Sequence, residues 1–135
     1  MKLPAPNTEP FDEAARSTVL GRARGKFLHC LIGDEPIFHL LKTRTKVDVG
    51  TWFFKRRVWA GLLQGELLLF AAGKRPYAER IPFDQLGKSE YNHVTGEVML
   101  APVEGARVTG LKTPPLEGLR VLAHIHRGEK EHGST

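Results

Sequence analysis

The chain has 135 residues, 41% of them hydrophobic and 26% charged, with a net charge of +5. That is the composition of one globular domain, which can bury about two-thirds of its unfolded surface without a disulfide or metal. The single Cys30 excludes an internal disulfide, no apolar run approaches the roughly 20 residues of a membrane-spanning helix, and the first residues lack the apolar core of a secretory signal, so a cytoplasmic domain is expected.

Residues 1–9 are rich in Pro, Asn and Thr and are expected to form a flexible leader. Thr8-Glu9-Pro10 carries the signals of a helix start: a capping hydroxyl, an acid in the first turn, and a proline where its missing N–H is harmless. Phe11, Ala14, Ala15, Thr18, Val19, Ala23, Phe27 and Leu31 recur at spacings of three and four. This predicts an amphipathic helix over 10–32, with Arg16, Arg24 and Lys26 elsewhere on its surface. Gly21 and Gly25 each weaken that helix by about 1 kcal/mol against alanine, so a bend or split is expected. Gly33 and Pro36 end it.

From Ile37 the pattern becomes extended. Ile37–Lys42 and Gly50–Phe54 are aromatic and β-branched and are bounded by turn formers. Val58–Ala72 then presents two apolar arms about Gln64-Gly65. A buried helix competes here because leucine is a good helix former. The two glycines, the arm length and the extended neighbours favour a hairpin. A turn at Gly73–Pro76 leads to a strand over Tyr77–Phe83, and Asp84–Gly87 makes the next turn. Ser89–Val94 and Glu97–Ala101 pair about Thr95-Gly96, and Arg107–Leu111 closes the series. Thr113, Pro114, Pro115 and Glu117 open a final helix that Gly128 is expected to stop. Leu116, Leu119, Leu122, Ala123, Ile125 and His126 are its predicted buried face. One domain over 10–128 is expected, with a polar tail over 129–135. The fold class is α+β, mainly β.

About seven antiparallel strands followed by one C-terminal helix resembles the plan of the pleckstrin-homology-like superfamily. The likeness is to its bacterial branch, through Arg57–Ala71 and Arg80–Leu86, and runs from about Asp34 to Arg127. The resemblance implies an antiparallel barrel or two-sheet sandwich capped by the last helix, with the helix over 10–32 as an addition.

Catalytic and metal chemistry have little support. His124 and His126 sit two apart on a helix and point about 200° from each other, so one helix cannot bring both to an ion. His126 is expected as a packed residue at the edge of the core. His29, His39 and His93 lie on separate elements, without zinc-ligand spacing. Cys30 lies among Leu28, Leu31 and Ile32, where a buried inert thiol is the default. Gly21–Phe27 echoes a Walker loop but is one residue short, lacks its Ser/Thr and falls inside a helical pattern. No catalytic residue, metal or cofactor is expected.

Charge is the stronger signal. Nine basic residues and three acids between Lys42 and Arg80 give that segment +6, leaving −1 elsewhere. Arg16, Arg22, Arg24 and Lys26 form a second cluster. In an up-and-down meander the connection at Thr43–Val49 and that at Gly73–Pro76 share an end. This would bring together Arg44, Lys46, Lys74 and Arg75, the loop pair with which lipid-binding relatives hold phosphorylated headgroups. The compact Lys/Arg signature of inositide binders is missing, which argues against that specific ligand. Trp52, Phe53 and Phe54 beside Lys55-Arg56-Arg57 superficially resemble a stacking platform for nucleic acid, yet consecutive strand residues cannot all face one side. The expectation is a non-catalytic binding or scaffold domain working through loops or a sheet edge. A protein partner comes first, with an anionic membrane, nucleic acid or a second copy of the chain as the other partners, and a small basic nucleic-acid-binding barrel as the alternative.

Overall fold

The computed structural model of the chain describes residues 10–48, 55–73, 76–100, 108 and 110–133. The N-terminal helical segment is two helices, α1 (Glu13–Leu20) and α2 (Arg22–Ile32). Asp12, not Thr8, caps α1, its carboxylate accepting from the Ala15 N–H at 2.7 Å. The split falls at Gly21, whose φ of +81° suits glycine and few other residues. Gly33 ends α2 with φ +57°. Arg16, expected on the surface, is buried: its guanidinium donates to the Gly33 carbonyl at 2.9 Å and the Glu35 carbonyl at 2.7 Å, tying α1 to the end of α2.

Four strands follow in simple meander order: β1 (Ile37–Asp48), β2 (Lys55–Leu63), β3 (Glu66–Ala71) and β4 (Tyr77–Pro82). The hairpin about Gln64-Gly65 is present, with Leu62 opposite Leu67 and Trp59 opposite Phe70. A 3₁₀ turn over Phe83–Gln85 leads to β5 (Glu90–Asn92), β6 (Glu97–Met99) and β7 (Gly110–Lys112), which form a second antiparallel sheet. The strand expected over Gly50–Phe54 and the turn at Pro102–Gly105 lie outside the described residues. Helix α3 (Pro115–Gly133) completes the chain.

The Val58–Ala71 stretch is apolar at almost every position because its sheet is covered on both faces. Strand side chains alternate, so Val58, Ala60 and Leu62, with Leu67, Leu69 and Ala71, point into the core shared with β6, β7 and α3. Trp59, Leu63, Leu68 and Phe70 point the other way, against Leu20, Leu28 and Ile32 of the N-terminal helices. Strands buried on both faces lose the alternation that normally identifies them, which is why a helix competed in the sequence. Gly61 belongs to the helix-facing row, and a Cβ there would lie 2.6 Å from the Ile37 Cδ1.

The two sheets meet without closing into one hydrogen-bonded barrel. At the seam Thr45 takes the place of a ladder: its hydroxyl accepts from the Lys112 N–H at 2.8 Å and donates to the Gly110 carbonyl at 3.1 Å. Four steps along β1, from Lys42 to Lys46, span two steps along β2, from Trp59 to Arg57. Thr43 secures this irregularity by donating to the Val58 carbonyl at 2.7 Å. The segment expected as a connection from Thr43 is therefore strand as far as Asp48.

Helix α3 departs from expectation at both ends and in its rotation. It begins at Pro115, and Pro114 supplies the carbonyl that accepts from Gly118 N–H at 3.0 Å. Thr113 is no cap; its hydroxyl is buried without a hydrogen-bond partner. The helix continues through Gly128, where a glycine costs only about 1 kcal/mol against alanine. The buried stripe is Gly118, Val121, Leu122 and Ile125, while Leu116 is 67% exposed. Gly118 sets that rotation: a Cβ there would stand 2.8 Å from the Thr113 hydroxyl and 2.9 Å from the Tyr91 ring, so α3 packs with its glycine against β5.

Candidate functional site

The packing of α2 over the sheet joins the two basic clusters of the sequence. Phe27 of α2 lies against Phe70 of β3, with ring centroids 6.3 Å apart, and this fixes α2 over the outer face of the sheet. Trp59 is the cross-strand neighbour of Phe70 and is itself 7% exposed. The Arg24 guanidinium stands 5.7 Å from the Trp59 ring centroid, a cation–π contact. On the other side of Trp59 its β1 partner is Lys42, whose side chain shares the same face. Arg57, two residues along β2, is on that face as well. Arg24, Lys42 and Arg57 are all exposed. The site is a strip of cations at the sheet end that the helices leave uncovered, with a buried tryptophan beneath it.

What distinguishes these three cations is that they share one sheet face around a buried tryptophan. Three other arginines, Arg16, Arg80 and Arg120, have acceptors of their own. Arg80 bridges Glu35 and Glu66 at 2.7 Å each, and the two carboxylates raise its pKa above the usual arginine value. That bridge is over a third exposed, so its worth is that of a surface pair, about 0–1 kcal/mol. Arg16 has its carbonyl acceptors, and Arg120 approaches Glu117 at 3.9 Å. Among the described residues, Arg24, Lys42 and Arg57 form no ion pair. Their fields add rather than cancel, giving a positive face suited to an acidic partner.

The residues expected at the loop pair are placed differently. Arg44 and Lys46 are on β1. A Cβ on Gly96 would lie 3.9 Å from an Arg44 Nη and 3.9 Å from the Tyr91 hydroxyl, so Arg44 reaches the turn between β5 and β6, not the Trp59 strip. Lys74 and Arg75 lie outside the described residues, as do Trp52, Phe53 and Phe54. Both basic clusters were visible in the sequence. No local signal joins Arg24 to Lys42 and Arg57, because their convergence depends on where α2 docks.

Other chemistry-bearing groups have structural settings. His39 bonds Glu117 at 2.6 Å and its ring meets Phe11 edge-on, which joins β1, α3 and the segment before α1. His124 packs between Phe38 and Phe83, with centroids 5.8 Å and 5.7 Å away, and His126 is half-buried on the same helix. Cys30 is exposed on α2, contrary to the buried thiol expected. Among the described residues no group of three or more His, Cys, Asp and Glu could hold a metal ion. Among them, too, no helix is long and apolar enough to cross a membrane.

The comparisons decide little. No family model, curated protein or solved structure matches this chain. The site's physical chemistry therefore carries the functional reading.

Proposed function

We propose that this chain is a non-catalytic, pleckstrin-homology-like binding or scaffold domain whose outer sheet face at Trp59 docks an acidic partner. Two antiparallel sheets of four and three strands followed by a C-terminal helix support the family reading. The helical pair over the four-stranded sheet is this chain's addition to that plan. The observation that carries the function is the convergence of Arg24, Lys42 and Arg57 around Trp59 with no described carboxylate to balance them. The leading occupant is an acidic protein segment. Stacked nucleic-acid bases suit the strip poorly, because Trp59 is already covered by Arg24 and by its neighbours in the sheet.

The test presents a labelled polyglutamate peptide, phosphatidylserine vesicles and single-stranded RNA to the wild type and to Lys42→Glu/Arg57→Glu, each at two salt concentrations. Each charge near an anionic surface contributes about 1 kcal/mol, so reversing two should weaken binding by roughly tenfold or more. The arm that binds identifies the partner class. Binding in no arm, or binding that the double reversal leaves unchanged, rejects the proposal.

A further inference from the structure

A second site lies on the opposite side of α2 and stands apart from the Trp59 strip. Between α1 and α2 runs an open groove of about 520 Å³ lined by Ala14, Ser17, Arg22, Gly25, Lys26 and His29, with Glu13 and Cys30 at one end. The volume is within the range of small-molecule sites, roughly 300–1,000 Å³. The helices approach closely at Gly25: a Cβ there would come within 3.4 Å of the Ser17 hydroxyl oxygen.

The charges along the groove are sorted. Arg22 and Lys26 are four apart on α2 and therefore neighbours on one helix face. Both are exposed, and neither forms an ion pair among the described residues. The only acid in the lining, Glu13, is exposed and lies 3.5 Å from His29 Nδ1. Gly21, the N-cap of α2, offers no side chain to the first-turn amides, so the positive end of the helix adds to the same end of the groove as Arg22. Ser17, next to Gly25 in the lining, contributes a neutral hydroxyl donor. Two free cations and a hydroxyl around an open groove are the groups that hold an oxyanion through charge-assisted hydrogen bonds.

We propose that this groove binds a small metabolite bearing a phosphate or carboxylate group, with the oxyanion between Arg22 and Lys26 and the remainder of the ligand over Ala14 and Gly25. This does not depend on the acidic-partner reading of the outer face. The experiment is an amide NMR titration with inorganic phosphate and, separately, malonate, at ionic strength held constant with chloride. Saturable shifts are expected at Ser17, Arg22, Gly25 and Lys26, with a dissociation constant on the order of 1 mM. Arg22→Glu/Lys26→Glu should weaken binding at least about tenfold, whereas Lys42→Glu/Arg57→Glu should leave it unchanged. If the charge reversal unfolds α2, Arg22→Gln/Lys26→Gln takes its place. A response to phosphate alone assigns a phosphorylated ligand, and a response to malonate alone a carboxylate. Shifts that rise linearly without saturating, or that persist in the double variant, overturn the proposal. So does equal weakening by the Lys42/Arg57 pair, which would assign the effect to general charge.

Discussion

Phe70→Ala tests the two-sided burial of the four-stranded sheet. Phe70 has no solvent exposure; its ring lies against Phe27 of α2, and its cross-strand neighbour is Trp59 of β2, on the face covered by the helices. Truncating a buried phenylalanine costs about 3–5 kcal/mol, through lost transfer energy and the cavity left behind. The chain's whole stability should be on the order of 5–15 kcal/mol, so the loss is a large share. With a urea slope of about 2 kcal/mol/M, the unfolding midpoint should fall by roughly 1.5–2.5 M at an unchanged slope. Leu69→Ala, on the opposite face of the same strand, should cost about 2–5 kcal/mol. If α1 and α2 did not cover the sheet, Phe70 would face water and its truncation would cost about 0.5 kcal/mol or less. A loss below about 1 kcal/mol for Phe70→Ala beside a full loss for Leu69→Ala would refute the helical cover.

Three further outcomes are expected. Thr45→Val keeps the shape of the side chain but removes its hydrogen bonds to the Gly110 carbonyl and the Lys112 N–H, which water reaches in part, so it should cost about 0.5–1.5 kcal/mol in urea unfolding. Gly118→Ala should destabilise even though alanine favours helix by about 1 kcal/mol, because the new methyl meets the Tyr91 ring at 2.9 Å and overpacking costs roughly 1–3 kcal/mol; a rise in melting temperature would contradict the observed rotation of α3. Gly21→Ala should lose about 1–3 kcal/mol because φ +81° with ψ 171° is a conformation that only glycine adopts readily.

The sequence showed most of the fold through local signals. The meander, the hairpin at Gln64-Gly65, the turn at Thr95-Gly96 and the proline-led start of α3 are set by residues close in the chain. The break at Gly21 was likewise expected as a bend or split. The misreadings share a cause, which is that the deciding partner is distant. The face of α3 follows from Gly118 meeting Tyr91 and Thr113: Leu122 and Ile125 are buried as the periodicity indicates, but the stripe is turned toward Gly118 and Val121 and away from Leu116. Thr43 and Thr45 resembled turn residues, yet their hydroxyls bond Val58, Gly110 and Lys112 and hold β1 extended across the seam. Arg16 resembled a solvated charge because its acceptors are backbone carbonyls, which carry no sequence signature. The site was partly legible for the same reason. The two basic clusters were visible, but only the contact of Arg24 with Trp59 shows that they share one face.

That contact also supplies the most direct measurement. The chain has two tryptophans, so in a Trp52→Phe background Trp59 is the sole tryptophan emitter, 5.7 Å below the Arg24 guanidinium. An acidic partner docking on Arg24, Lys42 and Arg57 draws the guanidinium off the ring, and Trp59 emission should change saturably with the same midpoint as binding. Lys42→Glu/Arg57→Glu should shift that midpoint about tenfold or more. Binding that saturates with no change in Trp59 emission would place the partner elsewhere and contradict the account.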